Sequence, residues 1–94
     1  MYEDPEKIIE ECLEELMEPE DMPADVNTLA EVLKQEYPIE YKLFITHMVK
    51  KYRLSACGAH FVHVQGLMAI MDRWLEEDKV RKITKDGKIY WQIK

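Results

Sequence analysis

Glycine, proline and cysteine are scarce in this chain, and long apolar runs are absent. With three glycines, four prolines and 47% hydrophobic residues among 94, the composition excludes collagen-like and disordered classes and favours one compact, mostly helical domain. Cys12 and Cys57 are too few for a disulfide framework and, in apolar surroundings, are expected to be reduced, buried thiols. No apolar stretch approaches the roughly 20 residues that cross a bilayer, and the acidic start differs from a secretory signal. We therefore expect a cytoplasmic protein without membrane contact.

Basic residues are almost absent from the first quarter of the chain. Residues 1–24 contain ten acids and one base, Lys7, whereas the remaining 70 residues contain 12 bases and nine acids. The net charge of -6 therefore combines an acidic beginning with a mildly basic remainder. Because of this uneven charge distribution, the basic end of the chain is suited to binding phosphate or an acidic protein surface. The acidic end would either repel these partners or fold over the basic part.

Apolar residues recur at helical spacing in four segments. Asp4 before Pro5 is typical of a helix start, because the carboxylate caps the first turn and proline suits its first position. This helix is expected to end near Glu18, and a proline-containing linker follows it. Further helices are predicted from about Asp25 to Tyr37, with Thr28 and Glu31 as a capping box, from Ile39 to about Arg53, and from Ala59 or Phe61 to Asp78.

The last segment alternates β-branched and aromatic residues around Asp86-Gly87. This dipeptide is the preferred centre of a two-residue hairpin turn, because both positions require a positive φ. The resulting register pairs Lys85 with Lys88, Ile83 with Tyr90 and Val80 with Ile93. Alternation along the strands then directs one set of side chains to the core, namely Val80, Ile89, Trp91 and Ile93, and another set outward, namely Arg81, Ile83, Tyr90 and Gln92.

The last helix and the start of the hairpin follow one sequence pattern. Apolar residues at helical spacing are followed by an acidic turn and then by a small apolar residue. The positions that form this pattern are Leu67, Met71, Trp74, Glu76, Glu77, Asp78 and Val80. The segment from 61 to 94 resembles the winged helix-turn-helix superfamily, in which such a helix leads into a hairpin called the wing. The resemblance implies an α+β, mostly helical fold with a winged-helix-like domain at 25–94. The acidic amphipathic helix and linker at 1–24, indicated by the spacing and charge above, precede this domain.

The same resemblance implies DNA contacts on two elements. In that superfamily the wing contacts the phosphate backbone, and the start of the last helix contacts base edges. The implied wing residues are Arg81, Lys82, Lys85 and Lys88, and the implied helix residues are His60, His63, Gln65 and Arg73. The sequence thus predicts a non-enzymatic DNA-binding regulator linked to transcription, with no cofactor and no small-molecule substrate.

An alternative function follows from the low basicity of the last helix. Phe61, Val62, Ile83 and Tyr90 give the same surface an apolar character that suits a protein partner. The alternative is therefore a protein–protein interaction module of winged-helix fold that does not bind DNA.

The spacing Cys57-x-x-His60-x-x-His63 is the arrangement most typical of metal ligands, with His47 as a candidate fourth ligand. Structural zinc sites usually contain two tight pairs of ligands, whereas this pattern is one loose trio. We therefore expect ordinary surface or hydrogen-bonded histidines and no metal. The sequence also lacks a nucleophile elbow and a glycine-rich phosphate loop, so no enzymatic activity is expected.

The acidic first helix leaves three interpretations open. Its apolar stripe packs on the body of its own chain, or it joins two copies in a homodimer. In the third interpretation, its negative charge shields the basic hairpin from nucleic acid until a partner removes it.

Overall fold

The computed structural model describes residues 4–52 and 62–94, and these residues form four helices and one antiparallel hairpin. The helices are α1 (Pro5–Leu16), α2 (Val26–Glu36), α3 (Pro38–Tyr52) and α4 (Val62–Glu76), and the strands are β1 (Val80–Lys85) and β2 (Lys88–Ile93). The predicted α+β, mostly helical class is therefore confirmed. Within the described ranges, no helix has the combination of length and apolar character that crossing a membrane requires.

Helix α1 begins where the sequence predicts and ends at Leu16, two residues before the expected end. The Asp4 carboxylate accepts a hydrogen bond from the Glu6 backbone N–H at 3.0 Å, and a proline lies in the first turn, where its missing N–H costs nothing. The helix packs against α3, and Ile9 and Leu13 are fully buried. The apolar stripe of the acidic helix is therefore part of the core of its own chain.

Helix α2 is capped by Asp25 rather than by the predicted Thr28. The Asp25 carboxylate accepts a hydrogen bond from the Thr28 backbone N–H at 2.9 Å. A cap needs extended backbone, which Asp25 has, whereas Thr28 already lies inside the first helical turn. The predicted capping box at Thr28 is therefore wrong. Pro38 begins α3 directly after Tyr37, so a single residue separates the two helices.

Helices α3 and α4 approach each other closely at Gly66. Phe44 and Met48 of α3 are fully buried, and a Cβ added at Gly66 would overlap the Phe44 ring. Glycine at this position thus allows two helix backbones to come together, although it is a weak helix former.

The hairpin is joined to the helices by a third backbone segment. In the linker before α2, the Ala24 N–H donates a hydrogen bond to the Trp91 carbonyl at 3.0 Å, and the Trp91 N–H donates one to the Ala24 carbonyl at 2.8 Å. Strand β1 packs against α4, and Val80 and Trp91 are fully buried. Strand β2 is therefore hydrogen-bonded along both edges, which fixes the orientation of the hairpin relative to the helices.

One hydrophobic core connects the four helices and the hairpin. Its fully buried large side chains are Ile9, Leu13, Leu33, Phe44, Met48, Leu67, Met71, Trp74, Val80 and Trp91. Cys12 belongs to the same core as a free thiol, and burial together with the nearby carboxylates of Glu40, Glu15 and Glu11 raises its pKa. The expectation of a reduced, buried thiol therefore holds for Cys12, whereas Cys57 lies outside the described residues.

Candidate nucleic-acid interface

The hairpin has the predicted register. Lys85 is the partner of Lys88, Ile83 of Tyr90 and Val80 of Ile93. Asp86 and Gly87 have φ angles of 52° and 79°, as a tight turn with two left-handed residues requires. Because side chains alternate along each strand, this register assigns every residue of β1 and β2 to one of two faces.

We call one of these faces the outer face of the hairpin; it consists of Arg81, Ile83, Lys85, Lys88, Tyr90 and Gln92. The Ile83 and Tyr90 side chains are half-buried at its centre, whereas Arg81 and the two lysines are exposed. Strand geometry gives a Cα separation of about 13 Å between Arg81 and Lys85. The outer face is therefore an aromatic and aliphatic centre with cations at both ends.

Lys82 lies on the opposite face, because it is paired with Trp91 across the strands. Its Nζ stands 5.9 Å from the centroid of the Trp91 ring, as in a cation–π contact. The resemblance to winged helices implies Lys82 as a wing contact beside Arg81 and Lys85, but the alternation of β1 directs it away from these two residues. Lys82 remains exposed and contributes charge from the side of the hairpin rather than from its outer face.

In the described part of the chain, four cations outside the outer face are paired with acids, three of them with acids of α1. Lys51 Nζ lies 3.1 Å from a Glu6 carboxylate oxygen, and Lys79 Nζ lies 3.2 Å from one of Glu14. Further pairs join Arg73 to Glu10 and Lys94 to Asp78. The acidic helix thus neutralises one cation of α3, one of α4 and one at the start of the hairpin.

The cations of the outer face have no such partners. Among the described residues, no carboxylate lies within ion-pair distance of Arg81, Lys85 or Lys88. Lys88 exerts only a longer-range attraction on Asp25, whose pKa is lowered mainly by hydrogen bonds from Thr28. Three cations on one face therefore remain available to an anionic partner.

A cleft opens beside the centre of the outer face. It is lined by Pro23, Ile83, Lys85, Asp86 and Tyr90 and has a volume of about 330 Å³. Pro23 comes from the linker that Ala24 fixes to β2 by its two backbone hydrogen bonds. Gln92 Nε2 also donates a hydrogen bond to the Asp21 carbonyl at 3.2 Å. The linker is therefore one wall of the surface, which hydrophobic periodicity alone does not indicate.

The predicted contacts on α4 are dispersed. Gln65 is exposed, but Arg73 pairs with Glu10, and the exposed surface of α4 also carries the acids Asp72 and Glu76. His60 and Phe61 lie outside the described residues, as do the side chains of Val62 and His63. In the described part of α4, the outward charge therefore disfavours phosphate.

Glu10 is the main polar link between α1 and α4. One of its carboxylate oxygens accepts a hydrogen bond from Trp74 Nε1 at 2.7 Å, and the other pairs with Arg73. Burial raises the pKa of Glu10, but the hydrogen bonds from Trp74 and Arg73 outweigh burial, so the pKa lies below its ordinary value. The acidic helix is thus fixed to its own chain by both apolar and charged contacts, and a homodimer through its stripe would require α1 to leave this position.

His47 lies beside acids of α1. Its Nε2 is 3.4 Å from a Glu6 carboxylate oxygen and 3.9 Å from one of Asp4, and the three residues form a group that could supply three metal ligands. The group is partly exposed, and Lys51 already pairs with Glu6. The proposed partners of His47 in a metal site, Cys57 and His60, lie outside the described residues, as does the His63 side chain.

No protein-family model, curated protein or solved structure matches this chain. Its function is therefore inferred from the charges, contacts and shape of the surfaces described above.

Proposed function

We propose that this protein is a non-enzymatic regulatory module that binds DNA through the outer face of its hairpin, in a winged-helix-like arrangement. The observation that carries the proposal is the clustering of three exposed cations, Arg81, Lys85 and Lys88, on one face of the hairpin, where no carboxylate of the described residues pairs with them. Lys51, Arg73 and Lys79 are paired with acids of α1, whereas the three cations of the outer face are exposed together on one side of the hairpin. Unpaired, clustered cations favour a polyanion, because each phosphate contact releases a condensed counterion.

Three further features support a winged-helix-like arrangement. Helix α4 leads through a short acidic turn into the hairpin, β1 packs on α4, and β2 pairs with the Ala24 segment that precedes α2. Together these contacts fix the orientation of the hairpin relative to α4 and to the start of α2. A regulatory role linked to transcription follows from the resemblance to the superfamily.

The proposed contacts are to phosphates rather than to base edges. Lysine and arginine contacts to the DNA backbone position a protein without reading sequence. The described surface of α4 offers Gln65 as a reading side chain, but Asp72 and Glu76 on the same helix would repel the backbone on either side of a groove. We therefore expect binding with little sequence preference and strong salt dependence.

A charge-reversal experiment with a matched control tests this proposal. The variant carries Lys85→Glu and Lys88→Glu, and the control carries Lys34→Glu and Lys42→Glu, which make the same change in net charge at exposed positions on α2 and α3. Binding to a labelled 20-base-pair duplex of random sequence is measured by fluorescence anisotropy at 50 mM NaCl.

The two variants should differ because only the first removes phosphate contacts. We expect the Lys85 and Lys88 variant to bind at least about tenfold more weakly than the unmodified protein, and the control to stay within about threefold. An equal loss in both variants would mean that only net charge matters, and would contradict an interface on the hairpin.

A protein–protein interaction module is the second candidate. The observation that favours it is the apolar centre of the outer face, where Ile83 and Tyr90 are half-buried beside Pro23. The acids Asp72 and Glu76 on α4 would be tolerated by a protein partner more readily than by DNA. If the unmodified protein binds no nucleic acid at 50 mM NaCl, this second function replaces the first.

A further inference from the structure

We infer that the outer face of the hairpin binds single-stranded nucleic acid in preference to duplex, and that one unstacked base occupies the cleft between Pro23, Ile83 and Tyr90. This inference rests on the proposed function, because it names the form of nucleic acid that the same surface recognises. It adds a role for the uncharged centre of the face, which phosphate contacts leave unexplained.

The size and lining of the cleft suit a single planar heterocycle. Its volume of about 330 Å³ lies at the small end of the roughly 300–1,000 Å³ range of small-molecule clefts. The walls combine an aromatic ring, a branched aliphatic side chain and a proline ring. The aromatic ring stacks on a base regardless of sequence, because every base has a π-face, and the aliphatic side chain and the proline ring supply apolar contacts.

The charged residues are distributed as a single strand requires. Arg81 precedes Ile83 on the same face by two residues, and Lys85 follows it by two, with Lys88 opposite Lys85. Cations therefore lie on both sides of the base-sized cleft. The Cα atoms of Arg81 and Lys85 are each about 7 Å along β1 from that of Ile83. A strand whose base enters the cleft would place its flanking phosphates near these cations.

Asp86 is the exception to this pattern, because its carboxylate lines the cleft and would repel a phosphate. A carboxylate accepts hydrogen bonds but does not donate them. At the rim of a base site, it would accept a hydrogen bond from the exocyclic amino group of a base. The acid is therefore better matched to a base edge than to the backbone.

A duplex would use this surface less completely. In a duplex the bases are stacked and paired, so only sugar and phosphate would reach Ile83 and Tyr90. The neighbouring surface of α4 offers no compensation in its described part, since Asp72 and Glu76 are exposed there and Arg73 is paired with Glu10. The apolar centre thus contributes to binding only when a base leaves its stack.

The test compares Tyr90→Leu with Tyr90→Phe in the full chain. Leucine keeps apolar bulk but lacks a π-face, whereas phenylalanine keeps the ring. The probes are a labelled 20-nucleotide DNA strand without self-complementarity, the RNA strand of the same sequence and the matching DNA duplex, each titrated by fluorescence anisotropy at 50 mM NaCl. Thermal unfolding by circular dichroism confirms that both variants are folded.

We expect the unmodified protein to bind at least one of the two strands at least fivefold more tightly than the duplex. Tyr90→Leu should weaken binding of that strand by roughly 5- to 150-fold, the range found for loss of one base-stacking contact, while duplex binding changes by less than about twofold. Tyr90→Phe should bind the strand within about threefold of the unmodified protein.

The failure of this inference can be distinguished from failure of the proposed function. If Lys85→Glu with Lys88→Glu weakens binding to strand and duplex, but Tyr90→Leu changes neither, the base site is wrong and the phosphate-binding hairpin stands. Tighter binding of duplex than of either strand would also overturn the inference. If the unmodified protein binds none of the three probes, both proposals are wrong.

Discussion

Replacement of Glu10 by alanine should destabilise the fold, because this carboxylate joins α1 to α4. The change removes the acceptor of the Trp74 Nε1 hydrogen bond, 2.7 Å long, and the ionic partner of Arg73. Trp74 is fully buried, so its N–H would lose its acceptor within the core.

The magnitude follows from these two losses. A buried donor without an acceptor costs about 1–3 kcal/mol. The ion pair adds no more than about 1 kcal/mol, since the Arg73 side chain is 51% exposed and solvent screens the pair. We therefore expect Glu10→Ala to lower the free energy of unfolding by about 1–4 kcal/mol. In a domain of this size, this corresponds to a decrease in Tm of roughly 4–32 °C.

Two further variants separate the contributions. Glu10→Gln keeps an oxygen acceptor for Trp74 and removes only the charge, so its loss should be about half that of alanine. Glu14→Ala removes an exposed acid from the same helix, whose Lys79 pair is worth at most about 1 kcal/mol. Urea unfolding followed by circular dichroism measures all three. If Glu10→Ala stays within 0.5 kcal/mol of the unmodified protein, the proposed link between α1 and α4 is wrong.

The pH dependence provides a second readout. Because the pKa of Glu10 is lower in the folded chain than its ordinary value of 4.5, its contribution to stability is fully present above that ordinary value. The contribution is lost as the pH falls through the folded pKa, where the carboxylate becomes protonated. The stability difference between the unmodified protein and Glu10→Gln should therefore shrink as the pH is lowered from 6 to 3. A constant difference across this range would contradict the assignment.

Two other substitutions test the packing and the capping of the helices. Gly66→Ala should destabilise the protein by up to about 2 kcal/mol in thermal or urea unfolding, because the overlap of its Cβ with the Phe44 ring costs about 1–3 kcal/mol and helix propensity returns about 1 kcal/mol. A stabilised variant would show that α3 and α4 have room to separate. Asp25→Ala should lower the free energy of unfolding by about 1 kcal/mol, because the Thr28 backbone N–H loses its capping acceptor. Asp25→Asn should lower it much less, because the amide oxygen still accepts this hydrogen bond. Equal losses in the two variants would mean that the charge rather than the hydrogen bond matters.

Local features of the sequence were sufficient for the hairpin and for the start of α1. The register of β1 and β2 follows from one turn, because Asp86 and Gly87 both adopt the positive φ that defines a two-residue connection. The Asp4 cap was predicted for the same reason, since its hydrogen bond spans two residues. Such interactions depend on neighbours in the chain, so a pattern can identify them.

The contacts that shape the candidate site depend on residues far apart in the sequence. The pairing of Ala24 with Trp91 and the pairing of Glu10 with Arg73 both span more than sixty positions. No periodicity in the chain indicates them, because they arise only after the helices pack. Hence the sequence predicted which cations lie on the hairpin, but it did not show that α1 pairs with Lys51, Arg73 and Lys79 or that Pro23 forms a wall of the cleft.

The salt dependence of duplex binding tests the central claim most directly. If Arg81, Lys85 and Lys88 each contact one phosphate, a plot of log affinity against log salt concentration should have a slope of about -2.7. The affinity should then fall roughly 40-fold between 50 and 200 mM NaCl. A slope near zero, or no detectable duplex binding at 25 mM NaCl, would contradict the assignment of the hairpin as an interface for duplex DNA.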